Sequence, residues 1–174
     1  MRYLLLLIAA FLLPALPGRA QQIPHMDLTT LSRGHIVLPV PGSTKPLIVL
    51  VTFSHKGSSD DTAWNKAVGI RYETDPHVDY IELADFQGVP QFLMHVILHG
   101  MRRQIKEPEK SHFAPFFTHD ATWKKLAHFG NPDITYVLVA TPSGRVVWQT
   151  QGPVDKAKAA ALQSEIQKLL APSH

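Results

Sequence analysis

The 174-residue sequence predicts an α/β fold, in which a mixed β-sheet of about four to five strands is covered by helices on both faces. Two apolar and β-branched runs, "LIVLVTF" at 47–53 and "ITYVLVA" at 134–140, are typical of strands buried on both faces. Other strand patterns alternate with helical periodicity in the order β-β-α-β-α-(α)-β-β-α. With 45% hydrophobic residues, the chain has enough apolar material for a core.

The elements are justified in chain order by their patterns. The first half predicts strands at 34–40 and 47–53, a helix from Ser58 or Ser59 to about Tyr72, a strand at 78–83 and a helix at 89–106. The second half predicts a Pro-punctuated loop at 107–118, a short helix at 120–129, a strand at 134–140, a turn at 141–144, a strand at 145–149 and a last helix beginning at Pro153.

The N-terminus has the pattern of a secretory signal peptide. An apolar run at 3–16 follows a short positive start, and small residues suit cleavage after Ala20. An uncleaved membrane anchor is the alternative, but about 14 apolar residues fall short of the ~20 that a spanning helix needs. We therefore expect a periplasmic or secreted protein, with a signal peptide at 1–20, an irregular lead-in at 21–33 and one domain at 34–174.

Charge and cysteine content exclude several classes of function. Arg2 and Arg19 leave with the leader and no acidic residue does, so 15 Lys and Arg face 14 Asp and Glu in the mature chain. This near-neutral balance gives no reason to expect nucleic-acid binding. The chain contains no cysteine, which excludes disulfides, a thiolate nucleophile, cysteine-ligated metals and dithiol redox chemistry.

The segment "SSDD" at 58–61 opens the first predicted helix. Ser58 and Asp61 have the spacing of a capping box, and acidic residues suit the positive end of a helix dipole. The alternative is a serine nucleophile or an anion site, although the two aspartates would repel an anion. Adjacent Ser54 and His55 point to opposite faces of a strand, and no Gly-x-Ser-x-Gly elbow is present, so a hydrolase triad is not expected.

The helix predicted at 89–106 carries a basic row. His95 and His99 are four residues apart, and Arg102 and Lys106 continue the same face. Three interpretations remain open: a solvated basic face, a contact surface for an acidic partner or anionic lipid headgroups, and a metal site at the two histidines. The cationic neighbours make metal binding the weakest of these, unless an acidic ligand comes from elsewhere in the fold.

The loop that follows this helix is rich in aromatic residues. Phe113, Phe116 and Phe117 lie among His112 and His119 in the stretch "KSHFAPFFTHD". These rings are expected either to fill the core or to form an apolar docking site beside the basic helix.

The stretch "LIVLVTFSHKGSSDDTAW" resembles the thioredoxin-like superfamily, in which a strand ending in Phe leads to Cys-x-x-Cys at a helix start. In that alignment Ser58 and Asp61 occupy the two cysteine positions. The superfamily also has a cis-proline before a later strand, opposite the cysteines, and Ile134-Thr135 fill that place here. The resemblance implies the thioredoxin-like fold with a degenerate, redox-inactive site.

The second half of the chain resembles the mitochondrial ATP synthase assembly-factor ("ATP-ten") family. The matching positions, in order, are Asn131, Tyr136, Gly144, Arg145, Trp148 and Gly152. The chain departs from that family at Ala140-Thr141, where an Asp is common. The matching positions are mostly structural. The resemblance implies a chaperone-like protein that helps a membrane subunit to assemble.

Together these observations predict a non-catalytic, exported binding or assembly factor with no cofactor. We expect a protein partner, which in one interpretation lies at a membrane surface, and no nucleic-acid partner. The residues expected to contact it are His95, His99, Arg102, Arg103 and Lys106. The alternatives are a histidine-based metal-binding protein, a non-thiol enzyme on the same scaffold and a purely structural envelope protein.

Overall fold

The computed structural model describes residues 21–171 of the chain. Within that range the strands are β1 (Met26–Thr29), β2 (His35–Leu38), β3 (Leu47–Thr52), β4 (Asp79–Asp85), β5 (Phe113–Phe116), β6 (Thr135–Ala140) and β7 (Val146–Gln151). The α-helices are α1 (Ser58–Trp64), α2 (Ile70–Tyr72), α3 (Gln91–Gln104), α4 (Glu109–His112), α5 (Asp120–Leu126) and α6 (Lys156–Leu170). A 3₁₀ turn (His55–Gly57) precedes α1, and a π-helical turn (Asn65–Gly69) joins α1 to α2.

A five-stranded mixed sheet forms the centre of the domain, as the sequence predicted. Its strand order is β5-β4-β3-β6-β7. Strand β3 is parallel to β4 and antiparallel to β6, while β5 extends the parallel side and β7 the antiparallel side. Every residue of β3 and β6 is buried, which explains why these two strands have the most continuous apolar sequences.

Helices and a hairpin cover the two faces of the sheet and form two apolar cores. On one face, the β1–β2 hairpin and α5 pack against alternate residues of β3, with Trp123 fully buried. On the other face, α1 and α6 pack against the intervening residues, with Trp64 fully buried. The indole nitrogen of Trp64 donates to the Gly152 carbonyl at 2.9 Å, which ties α1 to the segment before α6.

Two segments predicted to be irregular contain regular structure. Residues 21–33 include β1, which pairs with β2 as an antiparallel hairpin. Residues 107–118 include α4 and the edge strand β5. Both strands have only four residues, so their periodicity is too short to distinguish from a loop. Pro115 is tolerated in β5 because this strand lies at the edge of the five-stranded sheet.

The predicted capping box is wrong. Gly57 is the N-cap of α1 and makes no side-chain cap hydrogen bond. The Ser58 hydroxyl instead donates to the His55 carbonyl at 2.7 Å, because the preceding 3₁₀ turn places that acceptor within reach. Asp61 does not cap the helix either, since its side chain is buried and hydrogen-bonded to Glu82.

None of the helices in the described part of the chain combines the length and apolar character needed to cross a bilayer. The predicted signal peptide lies at 1–20, outside the described residues, and its cleavage remains a prediction.

Candidate functional site

Ser58, which the sequence resemblance aligns with the first cysteine, lies just after β3, at the start of α1. Ser58 is exposed at the start of α1, opposite the segment that enters β6. The Thr135 hydroxyl donates to the Gly57 carbonyl at 3.0 Å. A side chain at Gly57 would come within 3.2 Å of the Ile134 carbonyl oxygen, so the close approach of these two segments favours glycine. The structure therefore brings Ile134-Thr135 against the start of α1.

Ordinary polar contacts occupy the surroundings of this position. The Ser54 hydroxyl donates to Asp133 Oδ1 at 2.9 Å, and Lys56 lies 3.4 Å from the other oxygen of Asp133. The Ser58 hydroxyl is satisfied by the His55 carbonyl. Because no residue of this chain is a cysteine, the position has no group that can cycle between thiol and disulfide.

The side chain at the second cysteine position, Asp61, points inward and joins a buried acidic cluster. The Asn65 amide donates to Glu73 Oε1 at 2.8 Å and to Glu82 Oε1 at 2.5 Å. The Tyr80 hydroxyl also donates to Glu82 Oε1, at 2.8 Å. Asp61 is 9% exposed and Glu82 is 1% exposed. The cluster thus links α1, the π-helical turn and β4 beneath the start of the helix.

Burial changes the protonation of this cluster. Removal from water raises the pKa of Asp61 to about 7, although its hydrogen bond with Glu82 partly opposes the change. Burial also raises the pKa of Glu82 well above its usual range, and the nearby Asp61 charge acts in the same direction. The two carboxyl groups therefore retain a proton near neutral pH, because two adjacent buried carboxylates would repel each other.

This cluster was not predicted from the sequence. Tyr80 and Glu82 are two residues apart in β4, so they share the face that α1 covers. The available signal was an acidic residue inside an otherwise apolar strand pattern, "VDYIEL". Its partners Asn65 and Glu73 come from a different part of the chain, and no local pattern connects them to β4.

Helix α3 is the second candidate site, because it contains no buried residue. Four apolar side chains of α3 are exposed to solvent: Phe92 (74%), Leu93 (42%), Val96 (68%) and Ile97 (38%). We call these four residues the α3 apolar band. The opposite side, with Met94, Leu98 and Met101, is only partly exposed and faces the domain. The helical spacing of Met94, Ile97, Leu98, Met101 and Ile105 predicts one packed stripe, but Ile97 is 38% exposed and lies on the outer side of α3.

The structure divides the predicted basic row. His95, His99 and Arg103 are exposed on α3. Arg102 is half-buried, and its Nε donates to the Leu31 carbonyl at 3.2 Å, so it attaches α3 to the domain. Lys106 lies beyond the end of the helix, because the backbone becomes extended at the preceding residue. The row therefore does not continue along one helix face as the spacing implied.

The two histidines of α3 gain no third ligand from the fold. Within residues 21–171, no group of three or more His, Cys, Asp or Glu side chains is arranged to hold a metal ion. Metal binding at His95 and His99 would have to rely on those two side chains and solvent, an arrangement short of the four ligands usual for structural zinc.

The aromatic loop is divided between core and surface. Phe113 and Phe116 are buried in β5, as expected for rings that fill the core, whereas Phe117 is 40% exposed. Phe117 lines a cleft of about 570 Å³ between α3 and β1, together with Leu98, Arg102 and His119. This cleft lies along the inner side of α3.

The tyrosine and asparagine of the second sequence resemblance form a local turn. The Tyr136 hydroxyl accepts from the amides of Gly130 and Asn131, each at 3.0 Å, and donates to the Asn131 carbonyl at 2.9 Å. The Asn131 side chain accepts from the Asp133 amide at 2.9 Å. These contacts position the loop that leads into β6.

The remaining positions of that resemblance also make structural contacts. Gly144 has φ +85°, and a Cβ there would overlap the ring of Pro39. Gly152 has φ +75°, and its amide donates to the Thr135 carbonyl at 2.8 Å. The backbone of Arg145 forms an isolated antiparallel β-bridge with Gln22. Trp148 packs against the apolar core that contains Trp64.

Comparison with known proteins gives the fold its name. No protein-family model matches the chain, and its sequence matches no curated protein. A provisionally assigned protein disulfide isomerase from Bacteroides thetaiotaomicron superposes with a TM-score of 0.59 at 17% identity, covering 87% of this chain and 89% of that one. The exposed lipoprotein thioredoxin of Streptococcus pneumoniae gives 0.59 at 9% identity, over 83% and 99%.

A thiol:disulfide interchange protein of the thioredoxin family from Chlorobium tepidum gives a TM-score of 0.52 at 13% identity, over 88% and 99% of the two chains. The fold is thioredoxin-like. Identities this low establish the architecture and nothing about activity. On the thioredoxin-like fold, thiol redox chemistry depends on cysteine, so the absence of cysteine from this chain argues against that activity.

Proposed function

We propose that this thioredoxin-like protein is non-catalytic and that, after export, it acts as a binding or assembly factor for an envelope or membrane protein. The observation that carries the proposal is the α3 apolar band, which exposes four large apolar side chains side by side on one helix. Contiguous exposed apolar side chains with a polar border are typical of interaction surfaces. The exposed basic residues His95, His99 and Arg103 provide such a border.

The proposed role agrees with two sequence features. The pattern at 1–20 is that of a secretory signal peptide, which would deliver the folded domain to the periplasm or the exterior. The positions shared with the ATP synthase assembly-factor family suggest a chaperone-like task. In this protein the task would concern an envelope partner, since the predicted leader directs the chain to the secretory route.

Site-specific crosslinking in cells tests the proposal. A photoreactive residue at position 99 or 103 should capture a defined protein, because both side chains are exposed beside the α3 apolar band. The same residue at position 156, on α6 across the sheet, serves as the matched control. Charge reversal at Arg103 should weaken the capture. If positions 99 and 103 yield no product beyond that of position 156, the proposed partner surface is wrong.

Metal titration tests the alternative of a histidine-based metal protein. Zinc or copper is added to the form beginning at Gln21, and binding is followed by calorimetry. Stoichiometric binding that is lost in His95→Ala would favour the metal-binding alternative over the proposed role. Binding that is weak and unchanged in His95→Ala would leave the binding-factor proposal as it stands.

A further inference from the structure

We infer that α3 is an interfacial helix that holds the protein on an anionic phospholipid surface, with the α3 apolar band inserted among the lipids. This inference assigns the α3 apolar band to lipid, whereas the proposed function assigns it to a protein partner, and vesicle binding and protein capture together distinguish the two. The inference rests on the shape of α3, on the position of its apolar band and on its charge.

The geometry of α3 suits insertion parallel to a membrane. Its 14 residues span about 21 Å, from the 1.5 Å rise of an α-helix. Phe92 and Val96 are one helical turn apart, as are Leu93 and Ile97, so the four side chains form one continuous band. Since Phe92 and Val96 are largely exposed and the domain packs mainly against the opposite side of α3, the band can enter the headgroup region without disturbing the fold. Amphipathic helices bury such a face about 5–10 Å deep.

The charge of α3 selects the kind of surface. The helix contains no Asp or Glu, whereas His95, His99 and Arg103 are exposed beside the apolar band. Arginine near a membrane attracts anionic headgroups by about 1 kcal/mol per charge, which is roughly fivefold in affinity. A second copy of this chain is a poorer occupant, because α3 contains no Asp or Glu that could pair with the exposed Arg103 of the other copy.

Vesicle sedimentation tests the inference, with the form of the protein that begins at Gln21. The apolar run at 3–16 is thereby removed, so it cannot bind the vesicles itself. Every described strand and helix lies within 21–171, so this form retains the entire sheet and both cores. Two vesicle types are compared: phosphatidylcholine alone, and phosphatidylcholine mixed with phosphatidylglycerol. We expect binding to the mixed vesicles to be at least about fivefold tighter than binding to phosphatidylcholine alone.

Two variants of α3 should lose this binding. Arg103→Glu replaces an attractive charge with a repulsive one and should weaken binding by about 30-fold. The double variant Phe92→Ser/Val96→Ser removes the most exposed part of the band and should weaken binding by at least about 30-fold. Each has a matched control elsewhere: Lys156→Glu on α6 and Val147→Ser on β7, both at exposed positions. The controls should bind like the wild-type protein.

The outcomes separate this inference from the proposed function. Equal binding to both vesicle types, or unchanged binding of the α3 variants while circular dichroism shows a native fold, would overturn the inference. Absence of vesicle binding together with protein capture at position 99 would show that the band is a protein interface, which overturns the lipid inference and supports the proposed function. Vesicle binding without any protein capture would support the lipid inference and contradict the proposed function.

Discussion

Replacing Asp61 with asparagine should make the stability of the protein less dependent on pH between 5 and 8, because it removes the contribution of Asp61 while that of Glu82 remains. Asp61 is buried against Glu82, and burial raises its pKa from 3.8 to about 7. Asparagine has the shape of the protonated carboxyl group, and its amide can still donate a hydrogen bond to Glu82. The variant therefore imitates the protonated state at every pH.

The sign and size of the effect follow from proton linkage. Between pH 4 and 7 the folded state holds a proton on Asp61 that the unfolded state has released, so the free energy of unfolding falls as the pH rises. Each tenfold change in proton affinity is worth about 1.36 kcal/mol, so the total loss by pH 8 is about 4 kcal/mol relative to pH 4. Asp61→Asn should recover this amount at pH 8 and change little near pH 4. For a domain of this size, the gain corresponds to roughly 10 °C in Tm.

Urea denaturation followed by tryptophan fluorescence measures this effect. Trp64 and Trp123 are fully buried, so unfolding changes their environment. The measurement is made at pH 5, 6, 7 and 8 for the wild type, for Asp61→Asn and for the control Asp60→Asn, which alters the neighbouring and more exposed aspartate. A wild-type stability that does not fall from pH 5 to 8, or a slope in Asp61→Asn equal to that of the wild type, would refute the reasoning.

Three further substitutions test the packing. Tyr136→Phe removes the hydroxyl that joins three backbone groups of the loop before β6, and it should lower the free energy of unfolding by about 1–3 kcal/mol in urea denaturation. Gly144→Ala should destabilise by about 2 kcal/mol, because φ is +85° and the new Cβ overlaps Pro39. Gly100→Ala is its counterpart in α3, where the Cβ meets no atom within 4 Å, and thermal denaturation should show a gain of about 1 kcal/mol. If alanine changed the free energy of unfolding in the same direction at Gly144 and at Gly100, this explanation would be wrong.

Much of the sheet could be predicted because its central strands are recognisable from local sequence. β3 and β6 are apolar apart from one threonine each, and the helical periodicity of α3 and α6 is long enough to identify. The edge strand of the sheet was harder to predict from the sequence. β5 contains a proline and only four residues, so its strand character depends on pairing with β4.

The candidate sites show the same division. The basic and apolar composition of α3 was visible in the sequence, but its exposed side was not, since helical spacing does not tell which face the domain covers. Ile97 was expected inside and is outside, while Arg102 was expected to be free for a partner and bonds to Leu31. Periodicity defines faces, and only tertiary contacts decide which of them is buried.

By itself, the sequence determined the mixed α/β architecture and the absence of thiol chemistry, because strand and helix periods are local and cysteine is either present or absent. The tertiary structure alone decided the protonation of Asp61 and the exposure of the α3 apolar band. Both depend on what lies opposite a side chain: Glu82 comes from a distant strand to face Asp61, and no described element covers Phe92 and Val96. Which side chains are buried, and which residues they contact, depends on packing between distant parts of the chain. Local sequence patterns do not record that packing.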